Sequence, residues 1–255
     1  MISLQFVLAI AMAGFVGGVT GYIGSLMVTT RMALMGGALG HLTLPGIALA
    51  LVYDFDVSVG ALLFLILGII LIWLFEQKTQ LPVEALTAVV FASSLAIAFL
   101  FLPEGKSIQA LIGDVSRISV KIATITIILS IIIFLIIRKI FSGLVIMSIS
   151  SDIARVMHIN IKRYNLIYLM SIAVVVALGV RIVGGLMTAA LLAIPACTSK
   201  NLSKSLCQYS YGSLVFGCLA SVLGTGVFLA TGIPAGPMII IFSSFLFLIS
   251  VVLKK

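Results

Sequence analysis

Apolar stretches recur along the whole chain and are separated by short polar segments. About nine stretches approach the length of roughly 20 apolar residues that a membrane-spanning helix needs. They predict spans at about 4–27, 33–52, 57–75, 83–102, 119–138, 165–180, 182–199, 208–231 and 234–253. Because the sixth and seventh are short and share a boundary, we predict an all-α bundle of about eight to nine spans.

Composition indicates that lipid, rather than water, surrounds this bundle. Of the 255 residues, 62% are hydrophobic and 9% are charged, and the mean hydropathy is +1.37. Soluble domains carry about 25% charged residues, so this composition excludes a water-soluble protein. No long polar segment interrupts the spans, and residues 1–255 are therefore expected to form a single transmembrane domain.

The net charge of +8 is concentrated in a few connections between the predicted spans. This distribution is typical of the positive-inside rule, and no nucleic-acid partner is expected. If the spans alternate, the basic groups at 138–163, 200–204 and 254–255 share one side, which predicts a cytoplasmic C-terminus in a multi-pass cell-membrane protein. Arg31 falls on that side, whereas Asp54, Asp56 and the turn Pro103-Glu104-Gly105 fall on the other.

The first span carries glycines on closely spaced turns, at positions 14, 17, 18, 21 and 24. Small residues allow the backbones of transmembrane helices to approach one another closely. This span is therefore predicted to pack tightly against a neighbouring helix.

His41 is the ionisable residue that lies deepest in a predicted span. It follows Arg31 by about ten residues, or roughly 15 Å along a helix, which places it near mid-membrane. Glycines precede it and Pro45-Gly46 follow it, so the helix is expected to break there and to line a protein interior or an aqueous cavity. Imidazole is a common ligand of transition metals, but a histidine hydrogen-bonded between helices is an equally open interpretation.

The sequence contains no recognisable motif for proton pumping, ATP binding or catalysis. None of the seven acidic residues lies deep in a span, which argues against a proton pump. Glu84 is placed to favour the N-terminus of the fourth span. The chain has no GxxxxGK[ST] loop for ATP and no recognisable base-linked nucleophile, so we predict neither an enzyme nor a bound cofactor.

The longest polar connection, about 139–164, contains Ser150-Ser151-Asp152-Ile153-Ala154-Arg155. Asp152 follows two serines and is suited to cap a short helix that begins there. A short helix flanked by basic residues suits the docking of a soluble partner, while a solvated loop is the alternative interpretation.

Several motifs, in the same order, resemble the bacterial ABC permease family for zinc, manganese and ferrous iron. The signature of that family is matched in register by Gly36, Ala38, Leu39, His41, Leu44, Pro45 and Gly46. The further similar segments are Arg31-Met32, Leu111–Asp114, Ser151–Arg155, Val183–Leu186, Ala190–Ala196 and Ile233–Pro237. Together they cover essentially the whole chain.

The resemblance implies an importer of two permease copies and two cytoplasmic ATPases, supplied by an extracytoplasmic metal-binding protein. Residues 150–162 would form the coupling helix for the ATPase, with Asp152, Ala154 and Arg155 in it. His41 would touch the metal ion, and Gly37 and Pro45-Gly46 would shape the gate of the pathway. The expected cargo is zinc or manganese, with iron as a third candidate.

One departure from the family lies inside the signature. The family has an aspartate four residues before the histidine, and this chain has Gly37 there. Three explanations stay open: a weaker, transient metal site, a different partner permease that keeps the carboxylate, or a changed substrate or activity. The rival functions are an ATP-independent secondary transporter or channel and a structural subunit that no longer transports.

Overall fold

The computed structural model describes residues 4–30, 32–79, 81–101, 120–184 and 188–254, and every regular element in these ranges is an α-helix. In chain order the helices are α1 (Leu4–Thr29), α2 (Ala33–Leu42), α3 (Leu44–Tyr53), α4 (Val57–Thr79), α5 (Val83–Phe101), α6 (Val120–Ile149), α7 (Ser151–Val156), α8 (Ile161–Val183), α9 (Thr188–Leu202), α10 (Leu206–Thr231) and α11 (Ala235–Leu253).

The predicted all-α transmembrane bundle is confirmed. Within the described ranges, seven helices have the length and apolar composition to cross a membrane, namely α1, α4, α5, α6, α8, α10 and α11. The predicted span 33–52 is divided into α2 and α3, and the predicted span 182–199 is represented by α9, a helix of 15 residues. These two shorter units account for the difference between seven long helices and the predicted count.

The fifth predicted span is longer in the structure than its apolar run. The basic pair Arg138-Lys139 suggested an end at 138, but α6 continues for 30 residues to Ile149. Ile140, Leu144 and Val145 are buried in this extension, so packing against neighbouring helices continues the helix past the charged pair.

Glycines bring the backbone of α1 into direct contact with α10 and α9. A Cβ atom added at Gly21 would overlap the carbonyl oxygen of Ser213, and one added at Gly217 would overlap that of Gly17. A Cβ atom at Gly24 would likewise overlap the carbonyl oxygen of Leu192 in α9. The predicted small-residue face of α1 is thus confirmed as a place where the backbones of three helices come into contact.

Aromatic and polar side chains join the remaining helices to this centre. The ring of Tyr22 lies 5.0 Å from that of Phe134 in α6 and 5.8 Å from that of Tyr211 in α10, measured between ring centroids. Asn165 in α8 donates a hydrogen bond of 3.0 Å to Glu76 in α4. Such bonds satisfy polar atoms that lipid would leave unpaired.

Several residues used in the sequence interpretation lie outside the described residues. They are Arg31, the turn at 103–105, the motif at 111–114 and the residues 185–187.

Replacing Gly21 with alanine is expected to destabilise the bundle, because the new methyl group must displace the backbone of α10 at Ser213. Overpacking of this kind costs about 1–3 kcal/mol of unfolding free energy. Thermal unfolding of the detergent-solubilised protein measures the loss. The matched control is Gly226→Ala in α10, where an added Cβ meets nothing within 4 Å; equal melting temperatures for the two variants would contradict the close contact.

Candidate functional site

The helix that carries His41 breaks immediately after it. Pro45 has no N–H group, so it cannot donate to the carbonyl oxygen of His41 four residues earlier. Between them, the Thr43 hydroxyl donates to the Gly40 carbonyl oxygen at 2.6 Å, and the Ile47 N–H donates to the Thr43 carbonyl oxygen at 2.9 Å. The predicted break is thus an interruption at one residue, Thr43, which keeps helical backbone angles (φ −73°, ψ −25°), and it places His41 in the last turn of α2.

His41 lies in a pocket of about 340 Å³ between α2 and α5. The lining residues are Gly37, Ala38 and His41 from α2 and Glu84, Thr87, Ala88 and Phe91 from α5. The imidazole ring lies 5.1 Å from the ring of Phe91. Its Nδ1 atom is buried and has no hydrogen-bond partner among the residues that the structure describes. The interhelical hydrogen bond of the alternative interpretation is therefore not found at this atom.

The α5 wall of the pocket supplies oxygen atoms. Glu84 lies in the first turn of α5, as its sequence position suggested, and its side chain also lines the pocket of His41. The buried Thr87 hydroxyl donates to the Val83 carbonyl oxygen at 2.7 Å, so its oxygen is left as an acceptor. Sequence reasoning missed this wall, although the spacing 84, 87, 88 and 91 places these residues on one helix face.

Metal-ligand chemistry in the pocket is limited to a few side chains. Across the described ranges, no group of three or more His, Cys, Asp or Glu side chains is close enough to hold a metal ion. The pocket itself contributes one imidazole, one carboxylate and one hydroxyl oxygen. Any ion bound here must complete its coordination with water or with groups from another molecule.

The predicted gate residues separate into two places. Gly37 lines the pocket, and a Cβ atom there would lie 3.9 Å from the Cβ atom of Ala189, which is ordinary contact. Gly46 instead lies at the crossing of α3 and α4, where an added Cβ would overlap the carbonyl oxygen of Gly60. Pro45 is buried at the start of α3.

The predicted coupling segment contains the short helix α7, between α6 and α8. Its N-cap is Ser150, whose hydroxyl oxygen accepts a bond of 3.4 Å from the N–H of Ile153. The expectation that Asp152 caps this helix is therefore wrong, because the N-cap is Ser150, two residues before Asp152. Asp152 lies in the first turn, 3.6 Å from the guanidinium of Arg155, and both side chains are exposed.

Local hydrogen bonds fix the other end of α7. His158 has φ of 56°, a left-handed conformation that favours glycine. Its N–H donates to Arg155 and that of Ile159 donates to Ala154, which together form a Schellman motif. Asn160 then caps α8 by accepting a bond of 3.1 Å from the Arg163 N–H.

The side chains of α7 divide into a packed face and an exposed apolar face. Ala154 is fully buried against the bundle. The exposed apolar face comprises Ile153, Val156 and Met157, whose exposed fractions are 52%, 79% and 56%. Exposed apolar groups clustered in this way mark a surface for another protein or for the membrane.

Comparison with known proteins places this chain in a family. The family model described as the ABC 3 transport family matches residues 4–254. Among solved structures, the chain is similar to a chain of PsaBC from Streptococcus pneumoniae in complex with Fab, with a TM-score of 0.76 and 28% sequence identity. That similarity covers 95% of this chain and 89% of the other.

Two curated relatives are similar over most of their length. The manganese import system permease protein ScaB of Streptococcus parasanguinis is 28% identical over 97% of this chain and 89% of its own. The high-affinity zinc uptake system membrane protein ZnuB of Haemophilus influenzae is 28% identical over 91% of each chain. The chain belongs to the ABC 3 transport family and is a multi-pass transmembrane protein of it.

Proposed function

We propose that this chain is the membrane-spanning permease subunit of an ABC importer that carries a divalent transition metal, manganese or zinc, into the cell. The carrying observation is the family match over residues 4–254, which includes the pocket and the coupling segment. Relatives named for manganese and for zinc support both metals, and iron stays a third candidate. ATP is hydrolysed on a separate cytoplasmic ATPase, and this subunit binds no cofactor of its own.

In this proposal His41 touches the transported ion. An unprotonated imidazole nitrogen is a good ligand for borderline divalent metals, and the buried Nδ1 atom has no described partner. The ion is cargo, so a site with few protein ligands suits its release.

A second permease copy completes the pathway. The pocket lies at the surface of the described bundle, because Glu84 and Ala88 are exposed and His41 is only partly buried. Polar and ionisable groups on a lipid-facing surface are costly, which favours a surface covered by another protein. An extracytoplasmic metal-binding protein delivers the ion to this pair.

The C-terminus and α7 lie on the cytoplasmic side in this arrangement, where α7 docks in the ATPase. The exposed apolar face of α7 supplies the contact, flanked by Asp152 and Arg155, while buried Ala154 holds the segment to the bundle. Because α7 is capped at both ends, its displacement is transmitted to α6 and α8. Alternating access then follows from rigid movement of these helices.

The break between α2 and α3 provides the gate. Contact between Gly46 and Gly60 fixes α3 on α4, whereas a Cβ atom added at Gly37 would make only ordinary contact with Ala189 of α9. The helix can therefore bend between His41 and Pro45 and move the pocket wall relative to α3.

No feature of the described ranges favours the rival functions. Copurification of an ATPase with the chain separates an ABC permease from an ATP-independent transporter or channel. Uptake by the assembled complex separates a working permease from a structural subunit.

Removing the His41 imidazole is expected to lower ATP-dependent uptake of manganese and zinc by at least about tenfold, because the ion loses a ligand. Uptake into proteoliposomes that contain the complete importer measures this for His41→Ala and for His41→Gln, which retains a polar side chain. Cys207→Ala, which removes an exposed potential ligand outside the pocket, is expected to transport normally. Unchanged uptake and metal affinity in both His41 variants would show that His41 is no ligand.

Charging the exposed apolar face of α7 is expected to uncouple the two subunits. Val156→Glu places a carboxylate in the proposed apolar contact, and loss of a central contact costs about 2 kcal/mol or more, roughly thirtyfold in affinity. Binding of the purified ATPase to the permease measures the effect. Lys254→Glu introduces a carboxylate at the cytoplasmic end outside α7 and serves as control; equal ATPase binding by the two variants would argue against docking at α7.

Replacing Gly46 or Gly37 with alanine is expected to have different effects on the stability of the bundle. Gly46→Ala must push α3 away from α4 and should cost about 1–3 kcal/mol of unfolding free energy. Gly37→Ala adds only an ordinary contact to Ala189 and should leave the melting temperature unchanged. Thermal unfolding in detergent compares the pair, and a loss of stability at Gly37 would contradict the ordinary contact at that position.

A further inference from the structure

We propose that Glu84 supplies the carboxylate that position 37 lacks, so that a divalent first-row transition-metal ion binds in the pocket with Glu84 and His41. This inference rests on the proposed function, because it assigns a second ligand to the same pathway. It differs from the signature of the family, in which the carboxylate and the imidazole are on one helix.

A divalent ion in this pocket requires a negatively charged ligand, and position 37 does not supply one. Gly37 lines the α2 wall and carries no side chain, so this wall offers the ion only the neutral imidazole of His41. A dication in surroundings of reduced dielectric constant is held far better when an opposite charge is close to it. Among the lining residues that the structure describes, Glu84 is the acidic one.

Glu84 is free to act in this way. It lies in the first turn of α5 with an exposed side chain, and no basic side chain within the described ranges pairs with it. Thr87, Ala88 and Phe91 continue the same helix face into the pocket, and Phe91 contacts the ring of His41. Glu84 and His41 therefore line one pocket from two different helices.

Two further observations point to a ligand in this pocket. The Nδ1 atom of His41 is buried without a described hydrogen-bond partner, and a buried ring nitrogen normally has one. The Thr87 hydroxyl has already donated its proton to Val83, so its oxygen can only accept. An unprotonated imidazole nitrogen, a carboxylate and an accepting hydroxyl oxygen are all electron-pair donors, a chemistry that suits a cation.

The donor set also indicates the class of ion. One nitrogen and two kinds of oxygen, completed by water, suit manganese and borderline divalent ions such as zinc, whereas soft ions prefer thiolate or thioether sulfur. No sulfur atom belongs to the described residues that line the pocket. The site is expected to favour manganese over a soft ion such as copper(I).

Metal binding tests the site without requiring transport. Co²⁺ serves as the spectroscopic probe. It is titrated into the permease–ATPase complex in detergent, and its absorption is measured. Glu84→Gln should weaken Co²⁺ affinity by about tenfold or more, since a charged ligand is lost. Asp54→Asn is the matched control: it removes a carboxylate outside the pocket, at a left-handed position that asparagine tolerates. This control should bind Co²⁺ as the native chain does.

A rescue variant separates a ligand from a merely structural role. Adding Gly37→Asp to Glu84→Gln returns a carboxylate to the pocket, where the new Cβ meets only Ala189 at 3.9 Å. Recovery of Co²⁺ affinity is expected, with melting temperatures equal throughout because Glu84 is exposed.

The possible results decide the two proposals separately. Equal Co²⁺ affinity in the native chain and Glu84→Gln, or no binding by the native chain, overturns the role of Glu84. Failure of Gly37→Asp to restore affinity also counts against it. Manganese and zinc uptake is measured on the same preparations. If the native chain binds Co²⁺ but takes up neither metal, the proposed function alone is contradicted. If uptake occurs and Glu84→Gln binds Co²⁺ as tightly as the native chain does, this inference alone is contradicted.

Discussion

Direct backbone contact between α1 and its neighbours is the constraint on which the other helix positions depend. Gly17 and Gly21 allow α10 to touch α1, and Gly24 does the same for α9. Transmembrane helices gain little from the hydrophobic effect in lipid, so close packing of this kind carries much of their association. A Cβ atom at Gly36 would reach 3.3 Å from Leu192 and 3.5 Å from Met27. The position of α2, and with it the pocket, is therefore set by helices that glycines hold together.

Glycine serves opposite purposes on the two sides of the break at Thr43. On α3, Gly46 and Gly60 lock two backbones together, and no side chain fits between them. On α2, Gly37 leaves space that a side chain could occupy. The same residue type thus gives one position where two backbones touch and one position where a side chain could be added.

Sequence reasoning succeeded where a local pattern decides the structure. Apolar runs located the spans, and the missing N–H of Pro45 located the break after His41. Sequence reasoning failed where contacts between distant segments of the chain determine the structure. Buried Ile140 and Leu144 carry α6 past Arg138, which no local rule foresees. The pocket needs α2 beside α5, and the separation of about 43 residues between His41 and Glu84 hides that pairing from any periodicity argument.

A metal site shared between two helices has a mechanical consequence that a site on one helix lacks. An aspartate and a histidine four residues apart keep their separation, about 6 Å along the axis, whenever their helix moves as a body. His41 and Glu84 are on separate helices, so movement of α2 relative to α5 changes the distance between imidazole and carboxylate. Coulomb attraction and metal coordination both weaken as ligands separate. Opening of the break at Thr43 would therefore lower the affinity of the site and release the ion, which links gating to binding without any further residue.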